Sequence, residues 1–450
     1  MHEILNIAEV ASLDSRRGVI RIPTEIDIPI TARVRRIIDT PEFRRLAKIS
    51  QLGLVSLVYP AALHTRFEHS LGVFRLALLF LKRLAHDERF TQVIDTSAAE
   101  RFILTALLHD LGHWPFCHPI EDIHLSDVPS HEDFASRFLL ESELAACLRE
   151  DWGVEPEEVT KLLSGSCKRD NMDESPASRV LYSMLSGPVD IDKMDYLYRD
   201  SLHAGVPYGR NFDQHRLIGS LCMNEAGTSL AISDKGKTAA EMMVFARYVM
   251  FSEVYWHHGV RSATAMLQRA FYLLHESLDL SQLFTLTEGP FVEQLQKLAR
   301  QQNSEAARLL ESLFGARRQL YKRLAQYNYP EQPELYRRLA GQPYPWLVEC
   351  AKRFAELASS RTGHQIGPHE VLLDAPPVER EVEFDVEVFY GKQGFYRPFD
   401  EVSPVVRTLA RDQFDDYVKR VRLFASPNVI DALHTLDDLP ALLREAADTL

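Results

Sequence analysis

His109 and Asp110 stand side by side at the end of an apolar run, Arg101-Phe-Ile-Leu-Thr-Ala-Leu-Leu-His109-Asp110. An imidazole and a carboxylate there can both reach one metal ion, and the pair suits Fe, Mn, Co, Zn or Mg. Two ligands do not make a site. His69 lies upstream in Arg66-Phe-Glu-His69-Ser-Leu-Gly72, and Asp192 lies downstream in Asp190-Ile-Asp192-Lys193-Met-Asp195-Tyr196. Two histidines and two aspartates leave positions on an octahedral ion open to water and a substrate oxygen, as a catalytic ion requires. Singly, each residue has a plainer reading. A lone histidine on an amphipathic helix is usually exposed or satisfied, and Asp190, Asp192 and Asp195 suit a helix N-terminus. Together they are harder to dismiss. His109, His113, His118, His124 and His131 crowd one stretch, His69 precedes them, and the aspartates follow.

His118 and Glu121 are three residues apart and share a face if a helix continues past Pro119. A carboxylate set on an imidazole is a common way to orient a general acid or base; the spacing alone equally describes a surface ion pair. A basic and aromatic set accompanies them: Lys193, Tyr196, Arg199 and Asp200, then Arg247, Tyr255 and His257. Lysine and arginine beside a metal suit a phosphate chain. Tyrosine faces suit a sugar or base, although alone Tyr196 and Tyr255 read as helix core.

Helices must position these groups. Phe102, Ile103, Leu107, Leu108 and Leu111 recur at three- and four-residue steps, the period of an amphipathic helix. Residues 71–86, 131–149, 177–200, 239–281, 292–326 and 334–358 read likewise, and Pro115 ends or bends the helix that carries His109. Residues 18–28 alternate and predict a short hairpin. Past residue 360, 367–377 and 378–390 alternate as strands, and 413–427 reads as a helix leading into a strand. The residue pattern predicts a helical body over 1–365 with a small α+β appendage.

The composition narrows the function. The chain has 450 residues, 46% hydrophobic and 26% charged, with a net charge of −13. That charge speaks against a broad nucleic-acid surface. No apolar run reaches the roughly 20 residues that span a bilayer, and the first residues do not read as a signal peptide, so a cytoplasmic protein is expected. The cysteines, Cys117, Cys147, Cys167, Cys222 and Cys350, are odd in number and form no CxxC pair. A disulfide framework and a thiolate zinc site are not expected.

Taken in order, 38–46 (IDTPEFRRL), 51–73, 109–118 (HDLGHWPFCH), 131–132, 189–209 and 247–261 resemble the HD-domain deoxynucleoside triphosphate triphosphohydrolases, SAMHD-like and bacterial dGTPase-like. The resemblance covers about residues 14–270. It implies a mainly α fold, an HD-domain helical core with a small C-terminal α+β region. The expected division is 1–270 for the catalytic domain, 271–365 for a helical extension and 366–450 for the α+β region. It implies hydrolysis of a dNTP to deoxynucleoside and triphosphate, with one divalent metal on His69, His109, Asp110 and Asp192 and a second Mg travelling with the triphosphate. His118 with Glu121 is implied as the acid–base pair, and His113 and His131 as further catalytic histidines near the α-phosphate. Arg66, Lys193 and Arg247 would meet the phosphates, Gln51 and Asp200 the sugar 3′-hydroxyl, Tyr196 the 2′ position, and Tyr255 and His257 the sugar and base. A homo-oligomer, dimer or tetramer, is implied. The stretch Asp14-Ser-Arg-Arg-Gly18 departs from the family's Asp-Pro-x-His-Gly, and Arg44 and Ala47 replace an expected glutamine and arginine; a nucleotide activator is left open. Phe251 stands where one member of the family has a histidine, so base preference does not carry over. The same residues leave two alternatives: an HD phosphodiesterase or nucleotidase acting on another nucleotide, or a nucleotide-sensing oligomer without turnover.

Overall fold

The computed structural model describes residues 2–24, 26–140, 142–165, 175–376, 385–409 and 417–450. Cys167 and parts of the two expected elements at 378–390 and 413–427 lie outside them. The fold is mainly α. The expected hairpin forms from β1 (Val19–Ile22) and antiparallel β2 (Ile26–Pro29).

Three helices frame the body: α1 (Arg66–Leu84), α2 (Thr96–Leu108) and α5 (Ile191–His203), with α1 packed on both others. Asp95 caps α2 by accepting from Ala98 N at 2.7 Å, and Asp190 caps α5 by accepting from Lys193 N at 2.7 Å. Such caps satisfy amides that no helical carbonyl reaches. Phe102, Ile103, Leu104, Leu107 and Leu108 of α2 are fully buried, each contributing about 1.5–3 kcal/mol. That burial fixes which way the end of α2 points, and His109 and Asp110 follow at that end.

Two short helices, α3 (Cys117–Glu121) and α4 (His131–Phe134), come next. Gly112 sets their approach. A Cβ there would overlap the carbonyl of His131 and the backbone of Ala135, so only glycine lets the turn after Asp110 lie on α4. The stretch 177–200 is two helices, Pro176–Ser186 and α5, broken where Gly187-Pro188 cannot continue a helix. In 239–281, α6 (Lys237–Met250) runs into a π-turn, Phe251–Tyr255, before α7 (His258–Tyr272).

Hairpin β3 (Leu221–Met223) and β4 (Leu230–Ser233) joins β7 (Glu387–Tyr390) and β8 (Phe395–Pro398) in the order β3-β4-β7-β8. The stretch expected as helix over 292–326 ends instead in β5 (Lys322–Tyr327), after helix α8 (Ser304–Phe314). β5 pairs with β9 (Val421–Ala425), which pairs with β6 (Val371–Asp374). This sheet crosses the boundary expected at 365/366. Helices α9 (Tyr344–Thr362) and α10 (Leu439–Asp448) bury Phe354, Ala358, Leu442 and Leu443 with it in a second core.

Candidate active site

The ends of α1, α2 and α5 meet. His69 Nε2 lies 3.1 Å from His109 Nε2 and 3.0 Å from Asp192 Oδ1. The other ring nitrogens fix the tautomers: His69 Nδ1 pairs with Asp195 Oδ2 at 2.8 Å, and His109 Nδ1 with the Ala106 carbonyl at 3.0 Å. With each Nδ1 so engaged, each Nε2 is the nitrogen turned to the cluster and the one that can give a lone pair to an ion. Two lone pairs and a carboxylate oxygen converging within 4.8 Å repel one another unless a cation lies between them, and an imidazole held by an outer carboxylate is the usual metal-ligand arrangement. Asp110 stands beside them, with Oδ1 3.4 Å from His109 Nε2. Its Oδ2 accepts from Arg66 Nη1 at 2.9 Å. The donor set therefore fits a divalent ion.

Asp195, in sequence no more than a charge suited to a helix N-terminus, is the carboxylate behind His69. Arg199 grips it at 2.8 and 2.7 Å, and Glu68 holds Arg199 in turn at 2.7 Å. Burial pushes the Asp195 carboxyl up, but Arg199 and then His69 outweigh burial and keep it well below the usual carboxylate range. Gly72, one turn past His69, makes room: a Cβ there would overlap Asp195 Oδ1 and Arg199 Nη2.

A second group gathers on α3 and α4. Glu121 accepts from His131 N at 2.7 Å and lies 2.9 and 3.0 Å from His131 Nδ1. His118 Nδ1 is farther, 3.5 Å from Glu121, and its side chain is 60% exposed. The pairing expected for His118 is thus shared, and His131 holds the closer half. His113 is buried with its ring centroid 3.9 Å from that of His131. Burial first, then Arg66 and His131, hold His113 well below the usual imidazole range, so it is neutral.

Two adjoining clefts run from these groups. One, about 460 Å³, is lined by the four candidate metal ligands with His113, His118 and His131. The other, about 430 Å³, has an aromatic wall that includes Phe116, Phe251, Tyr255 and Trp256, with Asp200. Gln51, Arg66, His118 and Tyr196 line both. Tyr255 donates to Asp200 Oδ2 at 2.6 Å, and His64 Nε2 lies 2.9 Å from Asp200 Oδ1. The buried Gln51 Oε1 has no hydrogen-bond partner among the described residues.

Three residues expected at the phosphate and sugar stand just behind the cleft walls, Arg247 close enough to act on the Tyr196 hydroxyl. Lys193 Nζ is held 2.6 Å from Asp190 Oδ2, because the cap of its own helix neutralises it. The Arg247 guanidinium lies over the Phe251 ring, 5.5 Å from its centroid, and His257 caps α7 by accepting from Gly259 N at 3.1 Å. None of the three lines either cleft. Pattern reading missed His64 and Asp195; the only sequence signal for either was its nearness to the metal motifs.

An all-helical frame with converging imidazoles and carboxylates at its helix ends is the architecture of a metal-dependent phosphohydrolase. The HD domain matches residues 66–186, and the HD associated region matches 212–435. The chain belongs to the HD-domain phosphohydrolases, whose domain binds a divalent metal. It is 32% identical over 396 residues to an uncharacterized protein of Methanocaldococcus jannaschii, covering 87% of this chain and 76% of that one. It is 29% identical to the deoxynucleoside triphosphate triphosphohydrolase SAMHD1 of Gallus gallus, over 68% of this chain and 55% of that protein. The chain thus spans little more than half of that relative. A crystal structure of a hypothetical protein from Aquifex aeolicus superposes with TM-score 0.70 at 27% identity, covering 93% of this chain and 98% of that one. Among the described residues, no helix is long and apolar enough to cross a membrane.

Proposed function

We propose that this protein hydrolyses deoxynucleoside triphosphates to deoxynucleoside and inorganic triphosphate. The observation that carries the reading is the junction: a metal-ligand cleft opens into an aromatic cleft through Gln51, Arg66, His118 and Tyr196. That is the shape for a phosphate at one end and a nucleoside at the other. A divalent ion on His69, His109, Asp110 and Asp192 supplies Lewis acidity toward a phosphate oxygen and a water. Arg66, anchored on Asp110, neutralises charge on the phosphate. His118, exposed at the junction and near Glu121, donates a proton to the leaving 5′-oxygen. Gln51 Oε1, Asp200 and Tyr255 meet the sugar hydroxyl, and Tyr196 closes the 2′ side. The similarity to SAMHD1 over part of both chains supports the same substrate class, and we extend the proposal to a homo-oligomer.

A second reading, cleavage of a nucleotide with a shorter phosphate group, is favoured by one observation. Lys193 is paired with Asp190 and Arg247 stands behind the cleft wall, so among the described residues Arg66 is the arginine that lines the metal end. Product analysis separates the readings. The protein is incubated with each dNTP, dNMP and rNTP in Mn²⁺ or Mg²⁺, with Asp192→Asn as control. Deoxynucleoside plus intact triphosphate, absent in the variant, is the expected result. Turnover of monophosphates alone shifts the reading to the second; near-normal turnover in Asp192→Asn sinks the metal assignment.

A further inference from the structure

A soft donor lies beside the hard ones. Cys117 is 1% exposed, and its thiol lies with one ring nitrogen each of His113 and His131, all within 4.8 Å of one another. The three come from the turn after α2, from α3 and from α4, and the contact of Gly112 with the His131 carbonyl locks those segments together. Two observations point to a ligand. His113 is 4% exposed and its Nδ1 is buried without an aligned partner: it lies 3.1 Å from Asp110 Oδ1 yet makes no hydrogen bond. Glu121 holds His131 through Nδ1, which leaves Nε2, 3.4 Å from Glu132 Oε1, as the nitrogen available to an ion once the ring gives up its second proton. The site is reachable, since Cys117 lines the aromatic cleft and His113 and His131 line the metal cleft.

We infer that His113, Cys117 and His131 form a second metal position, selective for thiophilic divalent ions such as zinc or cadmium and distinct from the HD ion. Two imidazoles and a thiolate are a zinc set, whereas oxygen-preferring Mg²⁺ gains nothing from sulfur. Glu121 serves as the outer carboxylate of His131. The thiol proton is released to solvent as the Cys117–metal bond forms. On the proposed hydrolase reading, on which this consequence rests, an ion there holds His131 and with it the Glu121 that stands by His118, so excess zinc inhibits an enzyme that Mg²⁺ or Mn²⁺ supports.

The test is spectroscopic and independent of turnover. Full-length protein stripped with chelator is titrated with Co²⁺ while thiolate-to-cobalt absorption is followed in the near ultraviolet. Bound metal is counted after gel filtration. The band is expected in the wild type and in Asp192→Asn, which lacks an HD ligand. It should vanish in Cys117→Ser, with one fewer ion bound. His113→Gln, kept as a second variant in case the serine perturbs folding, should weaken cobalt binding at the thiolate band at least tenfold. No band in either the wild type or Asp192→Asn overturns the site, as does a band that survives Cys117→Ser. A band in Asp192→Asn beside failed product analysis would leave this position standing while the hydrolase reading falls.

Discussion

At the residue scale, the site is built by pairs whose outer member sets the inner. Asp195 is the clearest case: it is not itself a candidate ligand, yet it decides which nitrogen of His69 faces the cluster. Gly72→Ala should therefore act as a metal-site lesion. Its methyl has no space beside Asp195 and Arg199 and must push the carboxylate off His69. Loss of such an outer partner commonly costs 10–100-fold in metal affinity. Metal retained after dialysis against a graded chelator should fall by about that factor in both Gly72→Ala and Asp195→Asn. Unchanged retention in both would show that Asp195 does not orient His69. The four candidate ligands were legible in the sequence because two are adjacent and the others sit in dense polar motifs. Gly72, His64 and Asp195 were not, since each acquires its meaning from a neighbour on another element: Gly72 from α5, His64 from Asp200, Asp195 from α1.

At the scale of elements, the π-turn at 251–255 is what the sequence concealed. Its apolar period continues that of α6, so nothing marks the extra residue per turn, yet such turns gather at functional sites. Here it delivers the Tyr255 hydroxyl to Asp200 at 2.6 Å. Burial first, then Asp200, push the Tyr255 hydroxyl well above the usual phenol range, so it donates and Asp200 accepts. Tyr255→Phe removes a hydrogen bond to a charged group, worth about 1.5–3 kcal/mol. If Asp200 orients the sugar, KM should rise by about ten- to hundredfold while kcat changes less, as steady-state kinetics on the best substrate would show. A matching loss in kcat alone would place Tyr255 in the chemical step instead. Strand β5 was concealed differently. Its buried residues, Leu324 and Tyr327, are three apart because a bulge shifts the register between Arg323 and Ala325, and that spacing imitates a helix.

At the scale of the whole molecule, the second core is tied to the helical body by a polar joint around His369. Arg308 on α8 donates to His369 Nε2 at 3.2 Å, Tyr321 donates to the His369 carbonyl at 3.1 Å, and Ser262 on α7 donates to the Tyr321 carbonyl at 2.7 Å. The body was legible from helical periodicity. The joint was not, because it forms from an arginine and a histidine 61 residues apart in stretches with no motif. Burial depresses the His369 imidazole, Glu305 and Glu370 oppose that, and Arg308 and Arg269 add to it. The folded protein therefore binds that proton less readily than the unfolded chain. Above the ordinary imidazole pKa of about 6.5 both states are neutral and the term vanishes. As the pH falls below it the unfolded chain takes up the proton first, so this group lowers stability toward acid. His369→Gln keeps an acceptor for Arg308 and removes the titration. Urea unfolding at pH 7.5 and pH 5.5 should show a shallower acid loss in the variant, by up to about 1.4 kcal/mol per pH unit. An identical loss in both proteins would mean that His369 is protonated as easily at the joint as in the unfolded chain. The joint would then be open to water, and the Arg261–Asp374 ion pair at 2.6 Å would be the polar tie left between α7 and β6.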